Sequence, residues 1–108
     1  MARREVFWSE DAQRELDAIV DHIAHDSPID AMRVFDRLAD QARKLETFVE
    51  RGRRVPELGA RGRRSPLREL VVRPWRLIYA VHDAHVMVIA LVDSRRDFLS
   101  WLATRGGL

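Results

Sequence analysis

Residues 9–35 read SEDAQRELDAIVDHIAHDSPIDAMRVF, and this stretch predicts two helices joined by a tight turn. In its first half, apolar residues recur at the three- and four-residue spacing of one helix face: Ala12, Leu16, Ile19, Val20 and Ile23. Ser9 stands where an N-cap belongs, and the acidic Glu10 and Asp11 follow it, which suits the positive end of a helix dipole. We therefore predict an amphipathic helix over residues 10–25.

The turn between the two helices is the sequence Ser27-Pro28-Ile29-Asp30. Proline ends the first helix because it has no N–H donor, yet it is favourable in the first turn of a second helix whose N-cap is Ser27. The apolar spacing then continues through about residue 50. Two amphipathic helices with so short a connection pack against each other as an antiparallel hairpin.

The residues outside this hairpin predict strands, a loop and one more helix. Alternating or β-branched residues predict strands over 4–8, 67–73, 75–82 and 85–93, the last of them apolar on both faces. Residues 51–66, rich in glycine, proline and arginine, fit no period and predict a loop. The apolar residues between Phe98 and Leu102 predict a short C-terminal helix, ended by Gly106 and Gly107.

This order of elements favours the α+β class. We predict an N-terminal strand and an antiparallel helical hairpin, packed on an antiparallel β meander with a short C-terminal helix. Trp75 and Tyr79 share one face of a strand, and we interpret them as core residues rather than as platforms for stacking bases. With 108 residues the chain is near the commonest domain size of about 100–150, so residues 1–108 are interpreted as a single domain.

The composition excludes several classes of protein. The chain has no cysteine, which rules out disulfide scaffolds and thiol nucleophiles and agrees with a reducing cytoplasm, the compartment we predict. The N-terminal residues have no apolar run of the kind that a signal peptide needs, so we expect none, and the longest apolar run is too short to cross a bilayer. It also has no glycine motif that would hold a nucleotide, and we predict no cofactor.

The net charge is only +2, but the charges are divided along the chain. Residues 5–50 hold twelve acidic and five basic residues, a balance of −7, whereas residues 51–76 hold nine arginines and two glutamates, a balance of +7. Such a division can direct a basic surface towards an anionic partner. The alternative is a solvated, arginine-rich surface whose guanidinium groups pair with the acidic helices of the same molecule.

The arginines are the strongest candidates for a binding surface. Arginine binds phosphates and carboxylates through its planar fork of N–H donors. The candidates for contact with a target or a partner lie in the loop, on the strands and after the last strand: Arg53, Arg54, Arg61, Arg63, Arg64, Arg68, Arg73 and Arg96.

The four histidines form two pairs. His22 and His25 share a helix face, but no third ligand is suggested nearby, so we predict no metal site. His82 and His85 flank the Asp83-Ala84 turn and face each other across a hairpin. A histidine pair can act as general acid and base in RNA cleavage, although histidines at hairpin ends are more often only solvated.

Four segments together resemble one known family. They are VFWSEDAQRELDAIVDHIAHDSPIDA (6–31), GRRVPEL (52–58), RELVVRPWRLIYAV (68–81) and VMVIALVDSRRDF (86–98). Their order and spacing resemble the toxins of the RelE/ParE superfamily, from type II toxin–antitoxin systems, over nearly the whole chain. The resemblance implies growth inhibition, neutralisation by a cognate antitoxin encoded beside the toxin, and the same α+β fold.

The resemblance leaves two targets open. RelE-like members cleave mRNA on the ribosome with basic residues on the sheet and a C-terminal tyrosine or similar group; in that case Arg76, Arg95 and His82 would be catalytic, in a metal-independent endoribonuclease. ParE-like members poison DNA gyrase. Val71 stands where the nucleases tend to have an arginine, and Trp101 stands near the tyrosine position without an ionisable group. These differences, the long helical hairpin and the GRRVPEL segment favour the ParE-like activity, and a non-toxic nucleic-acid-binding module is a further alternative.

Overall fold

The predicted helical hairpin is present. The computed structural model describes residues 3–59 and 65–108, and its first two helices are α1 (Glu10–Ala24) and α2 (Pro28–Arg43). Ser9 Oγ accepts the Ala12 N–H at 3.1 Å, and the Ser27 hydroxyl caps α2 in the same way. Both serines satisfy backbone donors that have no partner within the helix, so each fixes the start of its helix.

The second helix is shorter than the sequence predicts. It ends at Arg43, where the expected end was about residue 50, and a 3₁₀ turn over Lys44–Glu46 follows. Leu45 is still buried, as its spacing requires, but the Tyr79 hydroxyl donates to the Val49 carbonyl at 2.7 Å. This bond ties the segment after the turn to the sheet, so the apolar spacing continues beyond the point where the helix ends.

The described residues form five strands: β1 (Glu5–Trp8), β2 (Arg53–Arg54), β3 (Arg68–Val72), β4 (Trp75–Val81) and β5 (His85–Asp93). They make one sheet, in the order β1-β5-β4-β3-β2. The predicted antiparallel meander is confirmed for β3, β4 and β5. The sheet as a whole is mixed, because β1 lies parallel to β5. The two helices carry the chain from β1 at one edge of the sheet to β2 at the other, and β3 and β4 lead back to β5.

The prediction that residues 51–66 form only a loop is wrong for its described part. Arg53 and Arg54 pair with Glu69 and Arg68 of β3 to form β2, and Pro56–Gly59 form a helical turn, α3. Neither element shows a period in the sequence, because a strand of two residues and a helix of four are too short to have one. Residues 60–64 lie outside the described part.

Each face of the sheet carries its own apolar cluster. The face under α1 and α2 buries thirteen residues, among them Leu16, Leu38, Leu77 and Tyr79. The opposite face is covered in part by α3 and by α4 (Phe98–Arg105), and its buried residues are Val55, Ile78, Ala90, Val92, Phe98 and Trp101. Burial on both faces explains why β5 is apolar along its length. The core assignment of Trp75 and Tyr79 is confirmed, since both are buried.

The short C-terminal helix is present as predicted. Asp97 caps its first turn, and Gly106 ends it with a φ of 88°, a left-handed conformation that glycine adopts without steric cost. In the two described segments, no helix combines the length and the apolar character needed to cross a membrane.

Candidate functional site at the arginine edge

The GRRVPEL segment is held against the sheet by its glycine. The Gly52 N–H donates to Tyr79 Oη at 2.9 Å, and the Gly52 carbonyl accepts from Arg68 Nη1 at 2.8 Å. A Cβ at position 52 would lie 2.4 Å from the Glu69 carbonyl oxygen and 2.7 Å from Tyr79 Oη. Only glycine allows so close an approach, and the close approach places β2 beside β3.

Behind β2 lies a chain of four alternating charges. The Arg53 Nε donates to Glu69 Oε2 at 2.8 Å, and Arg76 Nε donates to Glu69 Oε1 at 2.7 Å. Arg76 Nη1 and Nη2 then donate to the two carboxylate oxygens of Glu57, at 2.9 and 2.6 Å. The Arg76 guanidinium also lies 4.5 Å from the centre of the Phe98 ring. The network therefore joins β2, α3, β3, β4 and α4.

Burial and ion pairing act in opposite directions on this network. Burial disfavours the charged form of Arg76, but the hydrogen bonds to Glu57 and Glu69 outweigh it and raise the pKa of Arg76. The hydrogen bonds from Arg76 likewise hold the pKa of Glu57 below its ordinary value. The Glu69 side chain is fully buried, so both of its guanidinium partners are needed to compensate the loss of water.

In front of the network, the edge of the sheet is open. Strand β2 pairs with β3 only at Arg68 and Glu69, so no strand of the described segments lies beside Leu70 to Val72 on that side. Val71 lies in the middle of this open stretch and is 46% exposed. We call the open stretch of β3, together with Arg51, Arg53 and Arg73 around it, the arginine edge.

Two cavities flank Val71 at the arginine edge. The first, of about 400 Å³, is lined by Gln41, Arg51, Gly52, Arg53, Glu69, Leu70 and Val71. The second, of about 350 Å³, is lined by Arg53, Glu57, Val71, Arg73, Arg76 and Ser94. The edge therefore has a concave, cationic pocket on each side of one exposed strand.

The remaining candidate arginines are in different environments. Arg54 donates to the Ser65 carbonyl at 3.3 Å, whereas Arg95 is held by Asp93, with Nε at 2.9 Å from Oδ1 and Nη2 at 2.5 Å from Oδ2. The pairing with Arg95 lowers the pKa of Asp93 to about 2. Arg96 is exposed, and it forms no ion pair among the described residues. Arg61, Arg63 and Arg64 lie outside the described residues.

The catalytic candidates of a ribonuclease are not brought together. Arg76 lies opposite Val92, near the end of β5 that leads to Arg95. His82 bonds to His85 at the other end of β5, and a strand of this length separates the two ends by roughly 25 Å. His82 and His85 do face each other as predicted, with stacked rings 4.6 Å apart, but they lie at an exposed turn.

A third cavity lies elsewhere, between α1, the end of β5 and α4. It has a volume of about 460 Å³, and its lining includes His22, Ile23, Trp75, Arg96 and Trp101. Trp101 is buried there, and Arg105 lies over its ring at 5.4 Å while it pairs with Glu15 of α1. Trp101 therefore packs α4 onto the fold. Among the described residues, no group of histidine and acidic side chains has the geometry of a metal site.

A model of the ParE toxin family, from type II toxin–antitoxin systems of the parDE type, matches residues 6–98. The chain belongs to the ParE toxin family. Among solved structures, a chain of a chromosomal ParDE toxin–antitoxin system from P. aeruginosa is similar, with a TM-score of 0.70 and 18% identity, over 86% of this chain and 98% of that chain. At 18% identity, this similarity shows a shared fold only. A comparison with curated proteins found no significant match.

Two residues of this ParE-family site were not singled out in the sequence. Glu57 and Glu69 are the two acids within the basic stretch of residues 51–76, and both are bound to Arg76. An acid that is isolated among arginines is a signal for a buried ion pair. The sequence gives no means of telling which arginine is the partner, because that depends on the register of β3 against β4.

Proposed function

We propose that this ParE-family chain inhibits growth by acting on DNA gyrase, and that a cognate antitoxin neutralises it. The observation that carries the choice of target is the ion pairing of Arg76. Its Nε, Nη1 and Nη2 atoms are all bound to the carboxylates of Glu57 and Glu69, and the side chain is 8% exposed.

A cleavage site for RNA needs free cations around the scissile phosphate, together with groups that move protons. Arg76 would have to leave two carboxylates to reach a phosphate, and Arg95 would have to leave Asp93. His82 lies roughly 25 Å from Arg95, so it cannot serve the same phosphate. These placements favour a toxin that binds its target protein over one that cleaves RNA.

We expect a cognate antitoxin because the chain belongs to a family of toxins from type II toxin–antitoxin systems. A toxin of a type II system is encoded with a protein that binds it, and the arginine edge offers an exposed cationic surface for such a protein. Acidic groups of a partner could also pair with Arg51 and Arg73, which are exposed and form no ion pair within the part of the chain that the structure describes.

The test is a gyrase supercoiling assay with the purified chain. We expect loss of supercoiling that is relieved by the product of the neighbouring gene, added at equal molar amount. A parallel assay follows mRNA cleavage on translating ribosomes with the same preparation. Unimpaired supercoiling at a clear molar excess, together with ribosome-dependent cleavage, would overturn the proposal in favour of a RelE-like nuclease.

A further inference from the structure

We propose that the third cavity, between α1, the end of β5 and α4, binds a small aromatic monocarboxylate: a planar, largely apolar molecule with one negative charge. Its lining shares no residue with the two cavities of the arginine edge. The inference goes beyond the proposed function, which assigns no small ligand to the protein.

The third cavity lies along the part of β5 that β1 does not reach. Strand β1 pairs with β5 only as far as Val88, and no strand of the described segments lies beside the rest of β5 on that side. Two side chains close the first part of this edge. Arg105 Nη2 donates to the Ile89 carbonyl at 2.6 Å, and the Leu91 N–H donates to Glu15 Oε1 at 3.2 Å. From Leu91 onwards, the space between α1 and α4 forms the cavity.

The walls of the third cavity are held in place by contacts within the chain. Glu15 Oε2 of α1 accepts from Arg105 Nε of α4 at 2.9 Å, and the Arg105 guanidinium lies 5.4 Å from the centre of a Trp101 ring. The Ser94 N–H donates to the Pro74 carbonyl at 2.7 Å, which holds the end of β5 beside the start of β4. Because these walls are already ordered, a ligand does not have to order them when it binds.

The size and the lining of the third cavity indicate a small aromatic molecule. Its volume of about 460 Å³ lies within the range of about 300–1,000 Å³ of small-molecule sites. Its apolar lining comes from α1, β4, β5 and α4: Ala18, Ile19, Ile23, Trp75, Leu91, Val92 and Trp101. Two of these residues are tryptophans, whose rings favour offset or edge contacts with another aromatic ring.

The charges around the third cavity indicate one negative charge on the ligand. Glu15 is paired with Arg105, and Asp93 is paired with Arg95. The hydrogen bonds from Arg95 and the more distant charge of Arg96 lower the pKa of Asp93 to about 2, so one carboxylate faces two arginines. Arg96 forms no ion pair among the described residues. Its guanidinium can therefore bind one carboxylate of a ligand.

A peptide that adds to the sheet fits this place less well than a small molecule. An added strand pairs through the backbone groups of an open edge. Beside the third cavity, the Ile89 carbonyl and the Leu91 N–H are already bonded to Arg105 and Glu15. A strand would have to displace this ion pair, whereas a small aromatic acid leaves it in place.

Cinnamate is the probe that tests this inference, and cinnamamide, of similar shape but without the charge, is its matched control. In a nitrogen-15 NMR titration of the full chain, we expect saturable shifts of the indole N–H signals of Trp75 and Trp101. The Trp8 signal is expected to stay unchanged, because Trp8 does not line the third cavity. Cinnamamide is expected to bind about fivefold more weakly or less, since it cannot form a charge-assisted hydrogen bond with Arg96.

A pair of alanine variants tests whether cinnamate occupies the third cavity. Ala18→Leu adds a larger side chain to the cavity lining, so we expect it to weaken cinnamate binding about tenfold or more. Ala103→Leu adds the same atoms at an exposed position of α4 outside the lining, and binding is expected to stay within about twofold. Alanine and leucine both favour helices, so both variants are expected to fold, which thermal unfolding checks.

A pair of arginine variants separates the site from general attraction. Arg96→Glu is expected to weaken cinnamate binding about tenfold, whereas Arg73→Glu makes the same change of net charge at another exposed arginine and leaves binding within about threefold. Equal effects of these two variants, equal binding of cinnamamide, or shifts that spare Trp75 and Trp101 would each overturn the inference. None of these measurements involves gyrase, so failure here leaves the proposed function standing.

Discussion

Arg76 and Glu57 form a bidentate ion pair that holds the helical turn α3 on strand β4, with donor–acceptor distances of 2.9 and 2.6 Å. The other side of the same guanidinium binds Glu69, whose side chain is fully buried. Arg76 thus stabilises α3 through Glu57 and neutralises a buried carboxylate within the sheet through Glu69. We therefore assign Arg76 a structural role in the fold.

Replacement of Arg76 is expected to destabilise the protein strongly. Arg76→Met leaves Glu57 and Glu69 without their shared partner, and loss of one member of a buried ion pair costs about 3–5 kcal/mol. Urea denaturation, followed by circular dichroism, measures the free energy of unfolding. Arg95→Met is the control, because its ion pair with Asp93 is exposed and screened by solvent, so its loss is expected to change the stability far less. Equal stability of the two variants would show that the Arg76 network contributes little.

The stability of the protein is expected to fall in acid. The pKa of Glu57 is lowered from its ordinary 4.5 in the folded state, so its contribution to stability is complete above pH 4.5 and is lost as the pH falls through the lowered value. The pKa of Asp93 is lowered from 3.8 to about 2, so its contribution to stability is also lost in acid, as the pH falls from 3.8 to about 2. The measurement is the free energy of unfolding as a function of pH.

Glu57→Gln separates the contribution of Glu57 to the pH dependence of stability from that of Asp93. It is expected to have a smaller loss of stability between pH 4.5 and 3 than the unchanged protein, because the titrating carboxyl is gone. Arg95→Met is expected to return the pKa of Asp93 towards 3.8, which a carbon-13 NMR titration of the carboxyl group detects. An unchanged pKa of Asp93 in that variant would contradict the assigned cause.

Gly52→Ala is expected to destabilise the edge of the sheet. The added Cβ would meet the Glu69 carbonyl oxygen at 2.4 Å, and a backbone atom of a paired strand cannot move away at low cost. Overpacking of this kind costs about 1–3 kcal/mol. Gly59→Ala is the matched control, since no described atom lies within 4 Å of its added Cβ. Thermal unfolding of both variants tests the difference, and an unchanged melting temperature for Gly52→Ala would contradict the close packing.

Much of the fold can be predicted from local sequence patterns. Ser9 and Ser27 mark the starts of the two helices, and the alternation from Trp75 to Tyr79 assigns the two faces of β4 correctly. These features depend on neighbours within a few residues, so periodicity and capping are enough to predict them. The parallel pairing of β1 with β5 depends on residues about 80 positions apart, and no local pattern encodes it.

The candidate site was harder to predict for the same reason. Arg76 has the sequence context of an exposed cation on a strand, and its two carboxylate partners reach it only through the register of β3 and the placement of α3. The open edge at Val71 depends on where β2 stops, which is fixed by the packing of Gly52 on Tyr79. The ion pairs of Arg76 and the open edge at Val71 are both tertiary relationships. They depend on β2 and α3, which are too short to show a period in the sequence.

A variant of the histidine pair distinguishes action on DNA gyrase from cleavage of RNA. The variant His82→Gln/His85→Gln is expected to inhibit the growth of cells as strongly as the unchanged chain. Both histidines lie at an exposed turn, where their rings stack on each other and His85 also contacts Phe7. Growth after induction is compared at equal levels of folded protein, with the neighbouring gene absent. Loss of inhibition in the folded variant would place the histidines in the toxic activity and favour acid–base chemistry on RNA over the action on gyrase.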